Sequence, residues 1–124
     1  MMYEDRFTDR AKSALEKAHE SACDLGHGYV GSEHILLGIV KEGGGAAARV
    51  LRTAGLDEQL ITDAIEKYVG RGEKSGTTVQ GLTPRSKRIL ELAGAEANRL
   101  GSELIGTEHL LLAILREEDS SPML

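Results

Sequence analysis

The residues able to do chemistry come in matched pairs. Thr8 and Thr83 each open an apolar-periodic segment, and Glu33 and Glu108 each follow a Gly-Ser or Gly-Thr step at the start of another. A helix start leaves backbone N–H groups free and carries partial positive charge, so it accepts anions. A carboxylate can accept two parallel hydrogen bonds from a guanidinium. A ligand anionic at one end and guanidinium at the other would use both, with Thr8 and Glu33 forming one candidate site and Thr83 and Glu108 a second. A plainer reading makes each Thr an N-cap and each Glu a carboxylate favoured by the helix dipole. The residues alone support the two readings equally.

Other chemistry falls away on spacing. The four histidines, His19, His27, His34 and His109, include no i, i+4 pair with a third ligand of the kind a helical zinc site uses. His34 and His109 are expected to be packed imidazoles that hydrogen-bond nearby backbone. Cys23 is the single cysteine, so neither an internal disulfide nor a cysteine metal cluster can form. Gly70-Arg71-Gly72-Glu73-Lys74-Ser75 looks like a phosphate-binding loop, but Glu73 stands where that loop needs Gly and no strand precedes it. Gly43-Gly44-Gly45 reads as a turn between helices rather than a phosphate cradle. No Ser/His/Asp set or carboxylate pair stands out. The expectation is a binding module without catalytic residues, metal or cofactor.

These residues must be positioned by a small scaffold. The 124 residues suffice for one compact domain with a modest core. With no Trp and one Phe, that core must be aliphatic, which suits close helix-on-helix packing. A net charge of −5 opposes approach of the whole surface to nucleic acid or anionic membrane, though it does not bar a local anion pocket. The charged opening Met1-Met2-Tyr3-Glu4-Asp5-Arg6 lacks an apolar stretch of signal length, and no run approaches a membrane span. A cytoplasmic location is expected.

The chain contains its own repeat. Displaced by 75 positions, residues 7–43 fall on 82–118 without a gap. Phe7-Thr8-Asp9-Arg10-Ala11-Lys12 meets Leu82-Thr83-Pro84-Arg85-Ser86-Lys87. Gly31-Ser32-Glu33-His34-Ile35-Leu36-Leu37 meets Gly106-Thr107-Glu108-His109-Leu110-Leu111-Leu112. Shared helix composition would match apolar positions only, whereas here Thr, Arg, Lys, Gly, Glu and His match too.

Each copy predicts helices. Thr8 caps a first one with Ala11, Ala14, Leu15, Ala18, Ala22 and Leu25 at three- and four-residue spacing, stopped by Gly26. Thr83 caps its copy, with Pro84 at the first helical position and Ile89, Leu90, Ala93, Ala97 and Leu100 as the stripe before Gly101. Gly94 inside it should cost about 1 kcal/mol unless another backbone packs close. Second helices are predicted from Ser32 to about Lys41 and from Thr107 to about Glu117. They are apolar nearly all round and so buried. Ala46–Ala54 gives a third helix. Asp57 caps a fourth, with Leu60, Ile61, Ala64, Ile65, Tyr68 and Val69 inward. The second copy is shorter, and Asp119-Ser120-Ser121-Pro122 reads as the beginning of its third helix. The fold class is therefore all-α, without a sheet: two tandem, pseudo-twofold-related four-helix repeats, about 3–70 and 82–124, the second incomplete. A Gly-, Ser- and Thr-rich linker of about 71–81 joins them.

The doubled Phe/Leu-Thr-x-Arg followed by Gly-Ser/Thr-Glu-His-Ile/Leu-Leu-Leu resembles the double Clp-N motif of the Clp/Hsp100 AAA+ unfoldases. Arg6-Phe7-Thr8-Asp9-Arg10-Ala11 and Gly31-Ser32-Glu33-His34-Ile35-Leu36-Leu37-Gly38 look most like its ClpC branch, and the likeness covers essentially the whole chain. It implies a substrate- and adaptor-receiving domain on a hexameric ATPase that unfolds proteins and feeds them to the ClpP peptidase. It also implies MecA-like adaptors as partners, and two pockets for phosphoarginine-marked substrates, carried over here onto Thr8, Glu33, Thr83 and Glu108. Ser32 departs from the Thr usual at that position, while Thr107 keeps it. An alternative is a stand-alone Clp-N adaptor or modulator of a separate Clp ATPase.

Overall fold

The computed structural model describes residues 6–72 and 78–120, with the backbone alone for 118–120. Among the described residues six helices follow in order: α1 (Asp9–Asp24), α2 (Ser32–Glu42), α3 (Ala46–Thr53), α4 (Glu58–Tyr68), α5 (Pro84–Arg99) and α6 (Thr107–Ser120). Their caps are those the sequence supplies. Thr8 Oγ1 accepts from the Ala11 N–H at 3.1 Å, Thr83 Oγ1 from the Ser86 N–H at 3.0 Å, and Asp57 Oδ1 from the Leu60 N–H at 2.9 Å. Gly26 and Gly101, just past the ends of α1 and α5, adopt φ of 76° and 78°, the left-handed stop that glycine takes without strain.

The fold is not free of β-structure. Strand β1 (Tyr29–Val30) pairs in parallel with β2 (Gly81–Leu82), Tyr29 opposite Gly81 and Val30 opposite Leu82, and a single parallel bridge joins Phe7 to Ile105. The cause is local. Both Thr caps are extended, at φ −64° and ψ 163° for Thr8 and φ −65° and ψ 160° for Thr83. Their own N–H groups precede the helix and need acceptors. Thr83 donates to Val30 O at 3.0 Å and Thr8 to Ile105 O at 2.9 Å, while Ile105 donates to Arg6 O at 2.7 Å. The connection read as a linker is thus paired where it ends, and its Gly72 N–H also donates to Leu25 O at 2.9 Å.

The core is aliphatic, as composition requires. Ala11, Ala14, Ala18 and Ala22 of α1 are fully buried and allow α2 to approach at Gly38, where any Cβ would collide with the Ala14 carbonyl. Ile35, Leu37 and Ile39 fill the middle of the molecule. In the other half Ile89, Ala93 and Ala97 of α5 and Leu110 and Ala113 of α6 are buried where the two helices pack together.

Four helix expectations change, one of them for α6, which the sequence predicts to be buried nearly all round but which leaves Leu112 and Leu115 exposed. On α4 only Ile61 and Ile65 are buried; Leu60, Ala64, Tyr68 and Val69 are exposed, because α4 packs chiefly on α2 and has one narrow inner stripe. Gly94 has no close backbone neighbour: a Cβ there would meet only the Ile105 side chain, at an ordinary 3.7 Å. Asp119 and Ser120 extend α6 rather than beginning a third helix, and Ser121-Pro122 lie outside the described residues. Helix α2 stops after Glu42 because Gly43 turns left-handed at φ 74°. Glu118, Asp119 and Ser120 occupy the places of Gly43, Gly44 and Gly45 in the second copy, so nothing stops α6 there.

Candidate functional site

Thr8 and Glu108 line one cavity of about 430 Å³ together with Asp9, Arg10, Gly44, Gly45, Ala46, Gly106 and Thr107. Three helix starts meet in it, those of α1, α3 and α6. Glu33 is not among its lining residues, so the pairing of Thr8 with Glu33 expected from the sequence is not the one the fold makes. The reason is the crossed strand pairing. Thr8 is bonded to Ile105, which leads into Gly106-Thr107-Glu108, whereas Thr83 is bonded to Val30, which leads into Gly31-Ser32-Glu33. Thr8 therefore stands beside the Glu of the other copy, and Thr83 is bonded to the strand that leads into Glu33.

The two carboxylates are held alike. Glu33 folds back so that a Cβ on Gly31 would lie 2.6 Å from its Oε1, and Glu108 does the same over Gly106 at 2.5 Å. Glycine at these N-cap positions leaves the space the carboxylate fills. Arg10 is paired with Glu42 at 3.3 Å, and its counterpart Arg85 with Glu117 at 3.7 Å. Glu42 Oε1 also accepts from the Gly44 N–H at 2.9 Å, which ties the Arg10 pair to the glycine turn.

The histidines serve the backbone. His34 Nδ1 accepts from the Gly31 N–H at 2.9 Å and His109 Nδ1 from the Gly106 N–H at 2.9 Å. With Nδ1 an acceptor, neutral His34 carries its proton on Nε2, which faces His27 Nδ1 at 2.7 Å. His27 in turn donates from Nε2 to Gly70 O at 2.7 Å. Burial holds the His34 pKa below the ordinary imidazole value against the pull of Glu33, and neighbouring His27 adds to the lowering. Among the described residues no three His, Cys, Asp or Glu are grouped to hold a metal ion.

Chemically, the cavity offers opposite ends to a ligand. Helix-start N–H groups and the Thr107 hydroxyl suit an anion, and the Glu108 carboxylate suits a cation with parallel N–H groups. A family model, the Clp repeat (R) N-terminal domain, matches residues 6–122. This chain belongs to that family. Within the Clp N-terminal domain family it is similar to the negative regulator of genetic competence ClpC/MecB of Bacillus subtilis. The two are 46% identical over 112 residues, which cover 90% of this chain and 14% of the relative. It is 46% identical to the chloroplastic chaperone ClpC of Pisum sativum over 113 residues, or 91% of this chain and 12% of that one. The chain thus spans about one-seventh of the length of these Clp proteins. The fold matches the N-domain of ClpV from Vibrio cholerae with a TM-score of 0.78 at 23% identity, covering 95% of this chain and 71% of that one. It matches the N-terminal domain of ClpD from Arabidopsis thaliana with a TM-score of 0.74 at 21% identity, covering 92% and 77%.

Among the described residues no helix is long and apolar enough to cross a membrane. The Glu73-Lys74-Ser75 part of the rejected phosphate-loop pattern lies outside the described residues. Arg10, Gly44, Gly45 and Thr107 line the cavity without having been singled out as site residues. Arg10 and Thr107 carried a signal, since each has a like partner in the repeat, Arg85 and Ser32. Gly44 and Gly45, read from the sequence as a turn rather than a phosphate cradle, form that turn and also line the cavity, because α3 starts where α6 starts.

Proposed function

We propose that this domain receives substrates and adaptors for a ClpC-type ATP-dependent unfoldase that delivers proteins to the ClpP peptidase, and that it recognises phosphorylated arginine. The similarity to ClpC over the first part of much longer Clp proteins supports the module's place in such a machine. The ATPase activity belongs to the remainder of that longer protein, and a MecA-like adaptor is the partner class this reading assigns. The observation that carries ligand recognition is the cavity in which Thr8 and Thr107 stand at helix starts with Glu108 beside them. Phosphoarginine presents a phosphoryl group to the helix-start N–H groups and a guanidinium to the carboxylate. Inorganic phosphate meets the same carboxylate as a repulsion, and free arginine leaves the N–H groups unfilled.

Calorimetric titration tests this. Phosphoarginine is expected to bind more tightly than arginine or inorganic phosphate. A hydrogen bond to a charged group contributes roughly 1.5–3 kcal/mol, so Glu108→Ala is expected to weaken binding by about ten- to a hundredfold. Equal binding of phosphate and phosphoarginine, or no effect of Glu108→Ala, contradicts the reading.

A further inference from the structure

His27 and His34 belong to a one-way chain of hydrogen bonds that runs out of the core. The Gly31 N–H donates to His34 Nδ1 at 2.9 Å, His34 Nε2 donates to His27 Nδ1 at 2.7 Å, and His27 Nε2 donates to Gly70 O at 2.7 Å. The relay ends on residues 70–72, the strap by which the chain leaves α4. Two further bonds tie that strap to the end of α1: Arg71 donates to Asp24 O at 3.1 Å, and the Gly72 N–H to Leu25 O at 2.9 Å. Gly26 and Gly72 lie so close that a Cβ on either would strike the backbone of the other. The corner between α1 and β1 thus holds the segment that leaves the first copy for the second. At the same place in the second copy stands Ser102, which has no ring to relay a bond.

The direction of the relay is fixed by the Gly31 N–H, which can only donate. His34 Nδ1 must therefore stay bare, and its one proton must sit on Nε2. A second proton on His34 can go only to Nδ1, where it meets the Gly31 N–H. The imidazolium escapes that clash by turning, and turning withdraws the donor from His27. His34 is 1% exposed, so water does not reach the charge while the relay is closed. Of the titratable groups on the elements around it, Glu33 and His27 act on His34; Glu33 favours the added proton, and burial outweighs it. At the strap, Arg71 is neutralised by Glu66 of α4, and Asp24 meets it through its backbone carbonyl.

We infer that this relay is a proton-operated latch: a proton taken up by His34 releases residues 70–72 from the α1–β1 corner while the helices stay folded. The closed latch disfavours the protonated ring and the open one admits it. Opening therefore grows as the pH falls below about 6.5, by at most about tenfold per pH unit for one proton. Amide hydrogen exchange followed by NMR on the intact chain, corrected for the intrinsic pH dependence of exchange, tests this. The Gly72 N–H, held by Leu25 O, reports the strap. The Ser102 N–H, held by Ala97 O at 2.8 Å, is the reference, because the His27 N–H makes the same bond to Ala22 O at the matching corner. Between about pH 6.5 and about pH 5, protection at Gly72 should fall about tenfold while that at Ser102 stays within about twofold. The amide of His34→Gln can accept from Gly31 and donate to His27 without taking up a proton, so in that variant Gly72 should also stay within about twofold. A pH-independent Gly72 in the parent, an equal fall at Ser102, or an equal fall in His34→Gln overturns the latch. Should the variant not fold, the two amides of the parent decide the matter.

Discussion

His34 shows how a single buried residue sets a pH dependence. Its Nδ1 is occupied by the Gly31 N–H and its Nε2 proton by His27, so an added proton has no acceptor to face. The charged group beside the pair is Glu33, whose attraction for a proton is outweighed by burial. The folded pKa of His34 is depressed, so the unfolded chain binds this proton more readily. Stability is therefore fully present above about pH 6.5 and falls as the pH drops below that value. One histidine can contribute a slope of at most about 1.4 kcal/mol per pH unit. Melting temperatures measured between pH 7.5 and 5 should fall, and His34→Gln should flatten that fall. An equal fall in the variant would contradict this account.

At the scale of elements, two glycines inside helices have opposite meanings. Gly38 lies where α2 crosses α1, and a methyl group there would strike the Ala14 carbonyl. Gly38→Ala is expected to destabilise the domain by about 1–3 kcal/mol through overpacking. Gly94 faces open space apart from Ile105, so Gly94→Ala should gain up to about 1 kcal/mol of helix propensity. Denaturant unfolding of the two variants tests both signs at once, and a stabilised Gly38→Ala or destabilised Gly94→Ala would refute the packing described. Helix existence and caps were legible from the sequence, because Thr8, Thr83, Asp57 and the terminal glycines act locally. The short strands were not, because two extended residues have no period to detect and their partners lie more than fifty residues away in the chain. The inner face of α4 was over-read. Leu60, Tyr68 and Val69 fit a helical period, but no element covers them among the described residues.

For the whole molecule, the crossed pairing is the organising feature. Val30 holds Leu82 and Thr83, Ile105 holds Phe7 and Thr8, and each bond joins one copy of the repeat to the other. The four candidate residues stand out in the sequence because they recur at a fixed offset, whereas which Thr lies near which Glu does not, since it follows from which strand pairs with which. The copies also differ in cover. Leu25, Leu37 and Val40 are buried at 4%, 1% and 8%, while their counterparts Leu100, Leu112 and Leu115 are exposed at 51%, 36% and 53%. In the first copy α3, α4 and the segment after α4 shield that face, and among the described residues the second copy has no such helices. We propose that a pseudo-twofold axis relates 7–43 to 82–118, with the divergence at the glycine turn confined to one end.

The central claim, that the cavity between the two copies reads a phosphorylated guanidine, is tested most directly by mapping amide shifts in a nitrogen-15 NMR titration with phosphoarginine. The account predicts shifts that include Thr8, Gly44, Gly45, Thr107 and Glu108. Shifts confined to residues outside that cavity, or none at saturating ligand, would contradict it.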